Sequence, residues 1–175
     1  MTITTWEANA NINFSTGAQT PASTTRTYLT GSAIAIPATK LQIGSVLRWS
    51  FNATKTAAGT ASSTFDVAFG TAGGTADTAR ISFTKPAGTA VADEGWIEID
   101  CIVRGPLSAS GVAVGEFRLV HNLSATGHST VPIVVLNTVS ATFDLTVPTF
   151  AGVAVTPGVA ESYTIQQMSA QIWNV

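Results

Sequence analysis

The chain has 175 residues, of which only 10% are Asp, Glu, Lys or Arg while 45% are hydrophobic. About a quarter of the residues of an ordinary soluble domain are charged. The eight basic residues lie singly in a chain of net charge −2, which argues against the clustered cationic surface that nucleic acids require. The longest apolar runs, residues 33–38 and 131–136, are far shorter than the roughly 20 residues of a membrane-spanning helix. We therefore expect neither a nucleic acid nor a membrane as partner.

The composition points to association with other protein. A lone 18.0 kDa globule with a mean hydropathy of +0.32 would leave much of its surface uncharged, and such a surface promotes association. We expect it to be covered by further copies of the chain or by a larger particle. Cys101 is the only cysteine, so no disulfide forms within the chain, and folding in a reducing cytosol is expected. The first residues show no secretory-signal pattern.

The first 25 residues differ from the rest. Residues 15–27 are Ser, Thr, Ala and Gly with one glutamine, one proline and one arginine, and they have little to bury. We predict an extended N-terminal arm over residues 1–25 that becomes ordered against a neighbouring molecule, followed by one folded domain over residues 26–175. An ordinary frayed terminus is the alternative for the first 25 residues.

Beyond the arm, apolar and polar residues alternate with period two. Leu47, Trp49 and Phe51 alternate with Arg48 and Ser50. Because successive side chains of a strand point to opposite faces, this pattern is typical of half-buried antiparallel sheets. The predicted strands lie near residues 25–30, 33–36, 46–53, 63–69, 79–84, 95–104, 114–122, 133–137, 142–147 and 162–174.

These strands are separated by Ala/Gly/Thr loops, as at residues 55–60, 70–78 and 86–92. Many short strands with such turns predict an all-β, antiparallel two-sheet sandwich of jelly-roll type. The last predicted strand changes the phase of its apolar residues near Gln166 and Gln167, which predicts a β-bulge there.

The residues capable of metal or acid–base chemistry form no convincing site. His121 and His128 with the single Cys101 do not supply the three or four clustered ligands of a zinc site, and Asp93-Glu94-Gly95 is interpreted as a solvated turn rather than a calcium ligand set. We predict no metal, no cofactor and no catalytic residue.

Two carboxylates of one predicted strand deserve separate mention. Glu98 and Asp100 share a strand face and could serve glycoside hydrolysis. The simpler interpretation is a solvent-facing strand on which Arg104 pairs with both.

Four tryptophans are candidates for core, sugar-stacking or interface roles. Trp49 aligns with Leu47 and Phe51 and is predicted to be core. Trp96 and Trp173 fall on the faces opposite the main apolar series of their strands. Together with Trp6, they are predicted to be subunit-contact anchors, because tryptophan is enriched at interface hot spots. A carbohydrate platform is the alternative.

Residues 44–175 also contain a series of short motifs in a characteristic order. These motifs lie in the stretches LRWSFNATKTAAGTASSTFDVAFGTAGGTADTARISF, ADEGWIEIDCIVRG, VGEFRLVHNLSATGH and YTIQQMSAQIWNV. This part of the chain resembles a family of small structural proteins of tailed bacteriophages and prophages. The resemblance implies a virion component with a β-sandwich fold, often trimeric, and no catalytic residues.

The combined hypothesis is a non-enzymatic virion protein, assembled in the bacterial host cytoplasm. Its first form is a head decoration, or cement, protein that clamps subunits of the major capsid protein as a homotrimer. The closest alternative is a tail-associated knob or receptor-binding domain that recognises a host glycan or protein. Two further alternatives are a polysaccharide-degrading or esterase domain and a cellular carbohydrate-binding module.

Overall fold

A computed structural model describes residues 10–56, 58–122 and 127–173. The chain forms a sandwich of two antiparallel β-sheets, so the predicted all-β, jelly-roll-like architecture is confirmed. Within the described ranges no helix is long and apolar enough to cross a membrane.

Twelve strands are seen in the described residues. They are Ala10–Ser15 (β1), Thr27–Tyr28 (β2), Ile34–Ile36 (β3), Val46–Lys55 (β4), Ser63–Gly70 (β5), Thr78–Lys85 (β6), Asp93–Gly105 (β7), Val112–His121 (β8), Ile133–Val139 (β9), Thr149–Thr156 (β10), Tyr163–Thr164 (β11) and Met168–Trp173 (β12). The larger sheet has the order β1-β12-β4-β7-β8-β9, and β11 also pairs with β4. The smaller sheet has the order β2-β10-β5-β6, and β3 also pairs with β10.

The core lies between the two sheets and is built from the inward half of each alternating strand. Leu47, Trp49 and Phe51 are fully buried, as their alternation predicts. Phe65 of the smaller sheet contacts Phe117 of the larger one at a ring-centroid distance of 5.2 Å. Truncating such a buried aromatic ring to alanine costs about 3–5 kcal/mol, so these rings hold the two sheets together.

One predicted strand is wrong. Residues 142–147 form no strand, although Phe143 and Leu145 are buried. The Asp144 carboxylate accepts hydrogen bonds from both the backbone N–H and the hydroxyl of Thr146, at 2.8 and 2.6 Å. Such local side-chain bonds compete with strand pairing. The alternation correctly predicts that Phe143 and Leu145 are buried, but the strand that it predicts for their backbone is not formed.

Strand β10 is absent from the sequence prediction. It lies between β5 on one side and both β2 and β3 on the other, and most of its residues are buried on both faces. A strand covered on both faces need not alternate. Gly152 leaves room here for the hydroxyl of Tyr28, because a Cβ would collide with it unless the tyrosine side chain moved.

The predicted bulge at Gln166 and Gln167 is confirmed. Strand β11 ends at Thr164 and β12 begins at Met168. Asn52 of β4 closes the gap, because its Oδ1 accepts hydrogen bonds from the backbone N–H groups of Gln166 and Gln167, both at 3.1 Å.

The described part of the N-terminal segment pairs with the C-terminal segment that contains β11 and β12. Strand β1 pairs with β12 at the edge of the larger sheet, and isolated bridges join Gln19 to Ile165 and Ala22 to Ser162. Just beyond, Arg26 makes a two-pronged contact with the buried Asp66 at 2.9 and 2.6 Å. Backbone pairing therefore attaches residues 10–25 to the sandwich of their own chain.

Candidate functional site

The outer face of the larger sheet is the surface that turns away from the smaller sheet. Strands β4, β7 and β8 alternate regularly between buried and more exposed residues. The buried half faces the core, and the other half forms the outer face. Antiparallel pairing places residues of neighbouring strands side by side, so the outer face consists of rows that run across the sheet.

One of these rows is apolar along its whole length. In register across five strands stand Trp173, Val46, Ile102, Val114 and Val139; we call them the apolar row. Ile102 is 46% exposed and Val139 is 57% exposed. The row crosses one end of the sandwich.

The middle of the outer face carries two arginines that are paired with three carboxylates. Arg48 makes a bidentate ion pair with Asp100 at 2.6 and 2.7 Å, and the hydrogen bond to this carboxylate raises the pKa of Arg48. Arg118 contacts Glu116 at 2.6 Å and Glu98 at 3.5 Å. Exposed pairs of this kind stabilise a fold by at most about 1 kcal/mol.

The expected pairing of Arg104 with Glu98 and Asp100 is wrong. Both carboxylates pair instead with arginines of the neighbouring strands, Arg118 of β8 and Arg48 of β4. Neighbouring strands are about 4.8 Å apart, whereas four residues along one strand span about 13 Å. The neighbouring strand therefore supplies the closer cation.

Trp96 occupies the opposite end of the outer face. It stands between Asn52 of β4 and Val120 of β8 and is 41% exposed. Its side chain contributes to two cavities, of about 410 and 380 Å³; we call the two together the Trp96 groove. The first is lined by Asn52, Thr54, Glu94, Gly95, Trp96, Val120, His121 and Gln166. The second is lined by Phe14, Ser15, Thr16, Ser50, Trp96, Gln167, Met168 and Ser169.

Below this end of the face, inside the sandwich, lies a cluster of buried charges. The carboxylate of Glu161 approaches Lys85 Nζ at 3.6 Å and Lys55 Nζ at 4.0 Å, and all three side chains are fully buried. Ser63 donates a hydrogen bond to Glu161 and receives one from the Tyr163 hydroxyl. Burial lowers the pKa of both lysines, against the opposing effect of Glu161.

The two lysines also hold loops in place. Lys55 Nζ donates to the carbonyl oxygens of Thr56, Ala58, Gly59 and Thr89, at 2.9–3.2 Å. Because a buried carbonyl without a partner is costly, a single ammonium group with several acceptors organises loops that have few apolar residues of their own.

A second buried cluster consists of Asp93 and the two histidines, His121 and His128. Asp93 Oδ2 lies 2.7 Å from His121 Nδ1 and accepts a hydrogen bond from the backbone N–H of His128. His128 Nε2 lies 2.8 Å from the carbonyl oxygen of Ala53, so it carries the proton and donates. Burial lowers the pKa of His128 to about 4. His128 is therefore a neutral core residue at pH 7.

Two of the three predicted interface residues lie in the described part of the chain. Trp96 and Trp173 lie on the outer face, on the sides of their strands that the sequence pattern indicates. They stand at opposite ends of that face, about 20 Å apart along the strand direction. Trp6 lies outside the described residues. Their role as subunit contacts stays a prediction.

The structure also shows where the predicted core tryptophan and the candidate metal ligands lie. Trp49 is core, as predicted, and its indole N–H donates to the carbonyl oxygen of Ser32 at 2.7 Å. Cys101 is buried, which raises the pKa of its thiol. Asp93, predicted to lie in a solvated turn, instead begins β7 and is buried. In the part of the chain that the structure describes, no three His, Cys, Asp or Glu side chains are grouped to hold a metal ion.

Two features escaped the sequence analysis. Ile102 and Val139 were not recognised as parts of one row, although Ile102 stands out among the polar residues of its strand face. The contacts of Lys55 and Lys85 with Glu161 join residues that are far apart in sequence, and no local signal marks them.

Comparisons with known proteins address the fold alone. No model of a known protein family matches the chain, and no curated protein matches it. Among solved structures it is similar to lectin I from Ulex europaeus in complex with the methyl glycoside of α-L-fucose, at 11% identity and a TM-score of 0.39 over 92% of each chain. It is also similar to a mutant of the alginate lyase Aly36B in complex with alginate trisaccharide, at 7% identity and a TM-score of 0.31 over 90% of this chain and 81% of that one. A legume lectin-like domain from Entamoeba histolytica matches at 10% identity and a TM-score of 0.28, over 91% of this chain and 90% of that one.

Proposed function

We propose that the protein is a non-enzymatic structural component of a bacteriophage particle, a head decoration protein that acts as a homotrimer. The observation that carries the proposal is the apolar row. Five apolar side chains in register across the sheet, from Trp173 to Val139, form a continuous strip on the surface of a folded domain. Contiguous apolar surface of this kind marks protein contacts.

The edge strand β9 extends this surface. It is the last strand of the larger sheet, and Ile133, Val135 and Val139 each expose about half of their side chains. Its sequence IVVLNTV has neither the lysine nor the proline that usually protects an open edge from pairing. Strand and row together present one apolar border that a neighbouring copy can cover.

The histidines and the outer-face carboxylates support a non-enzymatic role. His121 is held between Asp93 and the Val131 carbonyl oxygen, and His128 donates to the Ala53 carbonyl oxygen. Glu98, Asp100 and Glu116 are engaged by Arg48 and Arg118. These groups serve the fold. The place in a virion, the trimeric state and the major capsid protein as partner follow from the resemblance of residues 44–175 to small phage structural proteins.

Sedimentation velocity and light scattering of the purified chain test the association. We expect trimers at micromolar concentrations, and monomers for Ile102→Lys, because the new charge would have to be buried without a partner. Val159→Lys is the matched control, since Val159 is 68% exposed in the loop between β10 and β11. A monomeric wild type, or a trimeric Ile102→Lys, contradicts this use of the apolar row.

Sedimentation of the chain with empty phage heads tests the location. We expect the trimer to sediment with the heads, and immunogold labelling to show many copies distributed over the head surface. Labelling confined to the tail contradicts the decoration role while leaving the trimer intact.

A further inference from the structure

We propose that the Trp96 groove binds a neutral oligosaccharide of pyranose sugars. The site lies at the end of the outer face opposite the apolar row, so it does not depend on the assembly role. It also assigns Trp96 to a ligand rather than to a subunit contact.

The Trp96 groove has the dimensions of a ligand-binding site. Two cavities of about 410 and 380 Å³ share the Trp96 side chain, and each falls within the size range of small-molecule sites. Because the indole belongs to both, a ligand longer than one sugar ring can pass over it from one cavity into the other.

The aromatic walls supply the contact area. Phe14 of the edge strand β1 is 65% exposed and lines the second cavity together with Trp96. Exposed aromatic rings offer a rigid apolar surface at a low cost in side-chain entropy. The C–H face of a pyranose is apolar and flat enough to cover such a ring.

The polar lining matches sugar hydroxyls. Asn52, Glu94 and Gln166 line the first cavity, and Ser50 and Gln167 line the second. Asn52 Oδ1 already accepts two backbone hydrogen bonds, so this residue contributes its Nδ2 donor. Amides and hydroxyls both donate and accept hydrogen bonds, and a carboxylate accepts from two hydroxyls. Sugar hydroxyls also both donate and accept, so the two inventories are complementary.

The bulge between β11 and β12 arranges these groups. Asn52 Oδ1 holds the backbone N–H groups of Gln166 and Gln167. Gln166 lines the first cavity, and Gln167 lines the second. The backbone of one glutamine is thereby fixed on each side of Trp96 before any ligand binds, so that only the side chains remain to be ordered on binding.

The same lining disfavours other ligands. Among the described residues, neither cavity is lined by a lysine or an arginine, so a nucleic acid stacking on Trp96 would find no cation there for its phosphates. The strands that carry Asn52 and Trp96, β4 and β7, are paired on both sides, so a peptide lying over Trp96 would find no open main-chain edge there to join. A ligand that is read by side chains alone, and that carries little charge, fits best.

Isothermal titration and saturation-transfer NMR test the proposal, with short neutral oligosaccharides of glucose, galactose, mannose and N-acetylglucosamine as probes. We expect at least one to bind with a Kd of about 1 mM or tighter. Trp96→Ala should weaken that binding by about tenfold or more, and Phe14→Ala and Gln166→Ala by about threefold each. No binding of any probe up to about 10 mM overturns the proposal.

Trp173→Ala is the matched control, because it removes another tryptophan from the same face, and we expect unchanged sugar affinity. Near-UV circular dichroism checks that each variant is folded. Loss of the trimer in Trp96→Ala would make Trp96 a subunit contact and overturn the assignment. Retention of the trimer with loss of sugar binding supports it, and separates this proposal from the role of the apolar row.

Discussion

The two ends of the sandwich distribute charge in opposite ways. At one end Lys55, Lys85 and Glu161 are fully buried in a chain that has few charges to place. At the other end the apolar row is left on the surface. Burial of charge organises loops that lack apolar residues, while exposure of apolar groups prepares a contact. Even in a chain with few charged residues, some of those residues are therefore buried and not on the surface.

Replacing the buried carboxylate should have the largest effect. Glu161→Gln keeps the shape but removes the carboxylate that contacts two buried ammonium groups, and removing one partner of a buried ion pair costs about 3–5 kcal/mol. We expect a loss of this size in the free energy of unfolding, measured by urea denaturation. Glu116→Gln, on the exposed pair with Arg118, is the matched control and should cost less than about 1 kcal/mol. Equal losses in the two variants would show that the buried cluster does not hold this end together.

Acidification should weaken the same end. The pKa of His128 is lowered from 6.5 to about 4 by burial, so the unfolded chain binds the proton more readily than the folded one. The stability associated with His128 is complete above pH 6.5 and is lost as the pH falls towards 4, by about 3 kcal/mol.

Urea unfolding across this pH range, compared with His128→Gln, isolates that contribution. The amide of glutamine can still donate to the Ala53 carbonyl but does not titrate, so the variant should show a flatter pH dependence. An identical pH dependence in both proteins would assign the acid sensitivity to other groups.

At the apolar end, a surface substitution should change association but not folding. Ile102→Lys places a charge on a side chain that is already 46% exposed, so we expect a change in the free energy of unfolding within about 0.5 kcal/mol when it is measured on the dissociated chain. A large loss of stability in the monomer would mean that the row packs against its own chain.

The smallest expected effect is that of salt on the trimer. The arginines and carboxylates in the middle of the outer face are already paired within one chain, and the apolar row carries no charge for salt to screen. We expect less than about a twofold change in the trimer dissociation constant between about 0.1 and 0.5 M NaCl. A strong decrease in affinity would indicate that ion pairs between chains dominate the contact.

Strand positions and faces were predictable wherever one face of a strand meets water. Alternation placed Trp49 in the core and Trp96 and Trp173 outside, because a period of two leaves only one way to bury the apolar half. The same reasoning missed β10, whose residues are buried on both faces, and it assigned a strand to residues 142–147, where Asp144 and Thr146 bond to each other.

The sequence by itself determined the all-β class, the faces of the alternating strands and the bulge at Gln166 and Gln167, because these depend on neighbours within a few residues. Only the tertiary structure decided which strands lie side by side. That order aligned Trp173 with Val139 across five strands, brought Glu161 to Lys55 and Lys85, and gave Glu98 and Asp100 their arginine partners. Contacts of this kind arise from pairing between distant segments, and the local alternation of residues does not indicate which segments will pair.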